Sequence, residues 1–174
     1  MNVPERLMSA AILILAVSTP ALSQPIVPPV AETVSLSGPR VGVTFLSPGI
    51  TRKLKTEDAI SVGPAVTQFG WQFERQFYTT QTGPTAVTEC VVLVGGLEQG
   101  VALPSLSWLV GIRTKDGAEF GVGPNVTPVG VALAIAAGIS FRAGVLNVPV
   151  NLAVVPSKSG MRVSLLTGFS LRRQ

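Results

Sequence analysis

The stretch TQFGWQFERQF, Thr67 to Phe77, alternates strictly. Phe69, Trp71, Phe73 and Phe77 share one parity; Gln68, Gly70, Gln72, Glu74 and Gln76 share the other. Side chains point to opposite faces of a strand at every second residue, so this run has one apolar and one polar face. The same two-residue period returns along most of the chain. Val41, Val43 and Phe45 alternate with Gly42 and Thr44, and Val87 to Leu93 form a third run. Leu106, Trp108, Val110 and Ile112 alternate with Ser105, Ser107, Leu109 and Gly111. Phe120 and Val122 follow a KDG turn signal, in which Asp-Gly supports a tight hairpin.

The segment Gly130 to Gly144 holds five alanines, which suits a helix, yet Val131, Leu133, Ile135, Ala137, Ile139 and Phe141 keep period two over six positions. Strand is therefore expected. Asn147 to Val154 continues the pattern, with Pro149 expected at a bulge or an interrupted ladder. The last run, Arg162 to Arg172, sets Val163, Leu165, Phe169 and Leu171 against Ser164, Gly168 and Ser170. About eight strands result, mostly joined as hairpins. Ser47 to Pro64, with most of the local charge, reads as a loop.

The character of the polar face decides which side is inside. A soluble sheet exposes a polar face rich in charge. Here that face is built of Gly, Ala, Ser, Asn and Gln, and charged residues are 13% of the whole chain against a usual ~25%. Small uncharged residues suit a closed interior. A membrane barrel has that arrangement, with small or polar residues inside and apolar residues toward lipid. The expected fold is therefore all-β, an antiparallel up-and-down barrel of about eight strands with its apolar face outward. Phe69, Trp71, Phe73, Trp108, Phe120, Phe141 and Phe169 are the expected lipid-facing residues. Glu74, Arg113, Glu119, Arg142, Arg162 and Arg172 share the polar parity and are the candidates for ion pairs in the lumen. Buried charges are tolerated when paired. Glu74 with Arg142 is the expected interior pair, and Arg113 and Glu119, beside the turn, are expected at a wet strand end.

Residues 1–23 read as a signal peptide. Arg6 precedes an apolar run from Ala10 to Val17, and Ala21 and Ser23 supply the small residues for cleavage before Gln24. A Pro-rich arm over 24–39 and one barrel domain over 40–174 complete the expected organisation. The apolar runs are too short for a spanning helix, the longest being the 11 residues Val129 to Ile139. A mature protein that crosses a membrane must then do so as a closed barrel.

The leader, the mature length and the eight alternating runs together resemble the small bacterial outer-membrane barrels of the OmpA and OmpX type. That resemblance is one of pattern across nearly the whole mature chain. It implies an outer-membrane location and membrane lipid as the principal partner. At the C-terminus, GFSLRRQ departs from the terminal aromatic usual in such barrels.

The chain has no histidine, which removes Ser-His-Asp and Cys-His catalysis and histidine-based zinc sites. Cys90 is the only cysteine, so no internal disulfide is possible. No enzyme activity, metal or cofactor is expected. The net charge of +4 is spread along the chain, with TRKLK (Thr51 to Lys55) its one dense stretch, and no nucleic-acid partner is expected. The expected function is a non-enzymatic outer-membrane barrel with a filled lumen, structural or binding through its loops. The alternative is a soluble exported sandwich or lipocalin-like module, periplasmic or secreted, that holds an apolar ligand.

Overall fold

A computed structural model describes residues 36–79 and 84–171. The expected signal peptide, most of the expected arm and Arg172 lie outside the described residues. Eight long strands make up the domain: β1 (Gly38–Leu46), β2 (Ala65–Thr79), β3 (Thr85–Gly95), β4 (Leu103–Arg113), β5 (Ala118–Thr127), β6 (Gly130–Ala143), β7 (Leu146–Ser157) and β8 (Gly160–Gly168). Each pairs antiparallel with the next, and β8 returns to pair with β1, from Arg40↔Gly168 to Leu46↔Arg162. The sheet is thus a closed up-and-down barrel without open lateral edges. A two-residue strand, β9 (Ser170–Leu171), continues β8 beside the start of β7. Because Gly38 and Pro39 already pair with Gln72 and Trp71, the barrel begins two residues before the expected boundary.

Local chemistry explains the details. The Ala-rich segment is strand, paired from Ala118↔Ile139 to Thr127↔Gly130 on one side and with β7 on the other. Its alanines at 132, 134 and 136 face the interior, packed with Leu109 and Val155. Gly117 takes φ 85° in the hairpin between β4 and β5, a conformation that favours glycine. The β7–β8 ladder stops at Val150↔Thr167 and resumes in the same register at Asn147↔Ser170. The gap falls at Pro149, which has no N–H to donate.

One expectation fails. Within the segment expected as a loop lies a helix, α1 (Pro48–Glu57). Proline at its first turn has the right φ for a helix start. Ile50 and Leu54, one turn apart, are 0% and 1% exposed. They join Leu46, Val66 and Leu103 in an apolar cluster inside the mouth of the barrel. The helix, the short 3₁₀ turn Leu97–Gln99 and the two tight turns at 128–129 and 158–159 share one end of the barrel, here called the far end. Leu36 and Leu171 lie at the other, near end, with the turns at 114–117 and 144–145.

Candidate functional site: the lumen and the outward face

Alternation assigns each strand's residues to the lumen or to the outside, and burial follows it. Among the described residues, 13 hydrophobic side chains are buried, whereas 26 large ones stand exposed. The exposed set holds Phe69, Trp71, Phe73, Trp108, Phe120, Phe141 and Phe169, each about half exposed on the outer face. Val41, Phe45, Leu106, Val110, Ile112, Leu133, Ile135, Leu152 and Leu165 extend the apolar surface around the wall.

The outward polar groups are few, and several are satisfied within the wall. Trp108 Nε1 donates to Thr88 Oγ1 across 3.0 Å. Thr88 Oγ1 in turn donates to the Leu109 carbonyl at 3.3 Å. Thr167 Oγ1 donates at 3.0 Å to the carbonyl of Pro149, at the interruption in the ladder. On β2 the apolar stretch runs from Thr67, held by Glu98, to the exposed Arg75. Over those nine residues, eight steps of about 3.3 Å at a tilt of about 40°, it stands about 20 Å tall.

The lumen carries the polar chemistry. Near its near end, Arg113 on β4 reaches both Glu119 on β5 and Glu74 on β2. Its Nε donates to Glu119 Oε1 at 2.7 Å, and its Nη1 to Glu74 Oε1 at 2.8 Å. Nη2 bonds to Glu74 Oε2, which makes that contact bidentate. The three side chains are 9%, 8% and 0% exposed, respectively. A planar guanidinium matches this two-carboxylate arrangement and an ammonium does not. Ser140 Oγ adds a bond to Glu119 Oε1 at 3.2 Å.

The expected partnership of Glu74 with Arg142 is not formed: Arg142 is exposed at the end of β6, and Arg113 takes both acids. Position in the sheet explains the difference. Arg113 is the cross-strand partner of Glu119 on one side and of Thr85 on the other. Its long side chain therefore lies in the interior, whereas the end of β6 is open to solvent. Arg113 and Glu119 are correspondingly buried and not wet.

Three further charged residues complete the described lumen. Arg40 on β1 is 2% exposed and has neutral partners, donating to Gln72 Oε1 at 3.0 Å and to the carbonyls of Pro39 and Leu36 at 3.0 and 2.5 Å. Glu89 on β3 faces inward, directly across from Glu74. Toward the far end, Arg162 donates to Asn125 Oδ1 at 2.9 Å and to Thr127 Oγ1 at 2.5 Å. The Asn125 amide passes the network to Ser105 and Ser107 at 2.9 and 2.8 Å. Thr44 links Gln68 at 2.5 Å and Ser164 at 2.6 Å. The described interior thus holds Arg40, Arg113 and Arg162 together with Glu74, Glu89 and Glu119, of which Arg113, Glu74 and Glu119 are ion-paired.

Arg40 and Glu89 escaped the sequence reading. Arg40 stood at the arm boundary, and β3 is apolar on both parities, with Val87, Val91 and Leu93 inward and Val92 and Val94 outward. Alternation therefore gave no side for Glu89. The signal for Arg40 was available, since it shares the parity of Gly42 and Thr44.

No protein-family model, curated protein or solved structure matches this chain. Between the apolar mouth and the Arg113 cluster lies a cavity of about 100 Å³. Ligand sites for drug-sized molecules span about 300–1,000 Å³, so this interior is too small for a lipocalin-like cargo.

Proposed function

We propose that this chain is a non-enzymatic outer-membrane β-barrel with a filled lumen, which serves a structural role or binds through its far-end connection. The supporting observation is the inverted distribution of side chains: an apolar belt around the outside and a hydrogen-bonded polar network with a buried ion cluster within. In water such an apolar surface drives association. In lipid it is matched, and the wall meets the second demand of a bilayer, that backbone polar groups be satisfied internally. The height of about 20 Å on β2 is near the ~25 Å band of such barrels. A soluble module with an interior apolar ligand is not favoured, because the large apolar side chains are on the wrong face.

In this reading the outward aromatics meet acyl chains. Ile50 and Leu54 are committed to the apolar plug, which leaves the exposed Arg52 and Lys55 side of α1 as the surface for a partner.

The test is fractionation of cells that express the full chain. The protein stays in the envelope pellet after high salt and alkali, and release by either treatment rejects the proposal. Within that fraction, Phe69→Arg, Trp71→Arg and Phe73→Arg block assembly, at about 2–4 kcal/mol each for an Arg at mid-bilayer. Gln72→Arg, on the lumen side, is tolerated better. Equal protease resistance of all four variants rejects the assigned facing. The unmodified barrel gives no steady ion conductance in a planar bilayer; a sustained current rejects the filled lumen.

A further inference from the structure

Among the described residues, the cavity inside the barrel is lined by polar side chains with some hydrogen-bonding atoms left unpartnered. Gln72 is 2% exposed, and its Oε1 accepts from Arg40. Its Nε2, buried, has no protein acceptor. Arg162 is 7% exposed, and its two Nη atoms bond to Thr127 and Asn125. Its Nε has no acceptor. Asn151 Oδ1 is a buried acceptor without a donor. All three residues line the cavity, as does Glu89, which makes no ion pair among the described residues.

The register brings two of these groups together. Gln72 is opposite Val91, and Glu89 is two residues from Val91 on the same inward face of β3. Diagonal neighbours of this kind are ~7–8 Å apart, within reach of long side chains. An unused donor on Gln72 and a free acceptor on Glu89 therefore face one space.

A buried amide or guanidinium N–H without a partner is costly, so an occupant that both donates and accepts is favoured. It carries no charge of its own to be paired, since the described ion pairs of the interior, Arg113 with Glu74 and Glu119, are already made within the protein. It is small, because the cavity measures about 100 Å³. We infer that the lumen is a binding site for a small cluster of ordered water, one molecule of which bridges the Gln72 amide and the Glu89 carboxylate while another hydrates Arg162 Nε. Buried water commonly makes two to four hydrogen bonds to such groups. Glu89 is thus held as a hydrated group and not as half of a salt bridge. This inference is independent of the membrane reading, since it concerns only the interior of the closed barrel.

The test uses the intact, folded barrel in detergent micelles. Water-to-protein cross-relaxation is recorded by NMR at the side-chain amide of Gln72, and xenon is added as a probe of dry apolar space. Dry apolar cavities take up xenon, and hydrated ones do not. The expected result is a water cross-peak at Gln72 Nε2 and no saturable xenon-induced shift of the Val91 or Leu109 methyl groups. Absence of the water cross-peak, or xenon shifts that saturate at those methyls, overturns the inference. The Gln72→Leu variant refines the reading. It removes the Nε2 donor, and with it the Oε1 acceptor of Arg40, and xenon uptake by the folded variant rises relative to the unmodified protein. Unchanged xenon exclusion and an unchanged shift at Glu89 in that variant reject the bridging water.

Discussion

The two ends of the lumen are closed by opposite chemistry. At the far end, Ile50 and Leu54 of α1 press into an apolar cluster with Leu46, Val66 and Leu103. At the near end, Arg113 holds Glu74 and Glu119 in a buried ion cluster. The apolar closure is non-directional and scales with area, so it accepts any side chain of about the right volume. The ionic closure is directional, and its members are interdependent: one guanidinium satisfies two carboxylates that no other described cation pairs with. One closure should therefore fail gradually, and the other in a single step.

The largest effect is expected from the ionic end. Arg113→Leu leaves Glu74 and Glu119 buried without their cation, and breaking a buried pair in this way costs about 3–5 kcal/mol. Denaturant titration of the folded barrel measures that loss. Glu74→Gln combined with Arg113→Leu should recover part of it, because fewer charges remain uncompensated. Strictly additive losses in this double-mutant cycle reject the coupling. Arg113→Lys should restore little, since an ammonium cannot bond in the same fork geometry.

At the apolar end, Leu54→Ala should cost about 2–5 kcal/mol through lost burial and the cavity left behind. Leu54→Met should cost less than about 1.5 kcal/mol, since volume is kept. The contrast lies in the conservative changes: Leu54→Met is tolerated and Arg113→Lys is not. If both are tolerated equally, the distinction between the two closures fails.

A third change probes the border of the ionic end. Arg142 is on the polar parity yet exposed. Arg142→Gln should shift stability by no more than about 0.5 kcal/mol, as is usual for a surface position. A loss near that of Arg113→Leu would show that Arg142 serves the cluster.

The same contrast explains how much the sequence revealed. The barrel and its outward face were legible because a period of two persists through long runs such as Phe69 to Phe73 and Val131 to Phe141. The polar parity of Glu74, Arg113, Glu119 and Arg162 was legible for the same reason, but the burial of Arg113 and Glu119, expected at a wet strand end, was not. Partnership was not, because it depends on the register between strands, which parity leaves free. Arg113 meets Glu119 only because Asp-Gly sets a short turn that places them opposite one another. Glu89 was hidden by the two-sided apolar character of β3. The helical plug was obscured by its dense charge, TRKLK, although Pro48 and the Ile50–Leu54 spacing mark a one-sided helix.

The smallest expected effect belongs to the rim of the far end, and it separates rim electrostatics from either closure. The Glu98 carboxylate accepts from Thr67 Oγ1 at 2.5 Å and from the Thr67 backbone N–H at 2.8 Å. Those bonds, the side-chain one first, pull its pKa from the ordinary 4.5 down to about 2. A carboxyl group with a lowered folded-state pKa binds protons more readily when released. Its stabilisation is therefore fully present above about pH 4.5 and is lost as pH falls toward about 2. Amide exchange at Thr67 should rise over that window relative to exchange at Val91 in the wall. Glu98→Gln should flatten the dependence at Thr67 and leave Val91 unchanged. Because Glu98 is fully exposed, the change should stay local and the closed barrel should persist. An acid-induced opening that reaches Val91 and survives Glu98→Gln would assign the transition to the interior carboxylates instead.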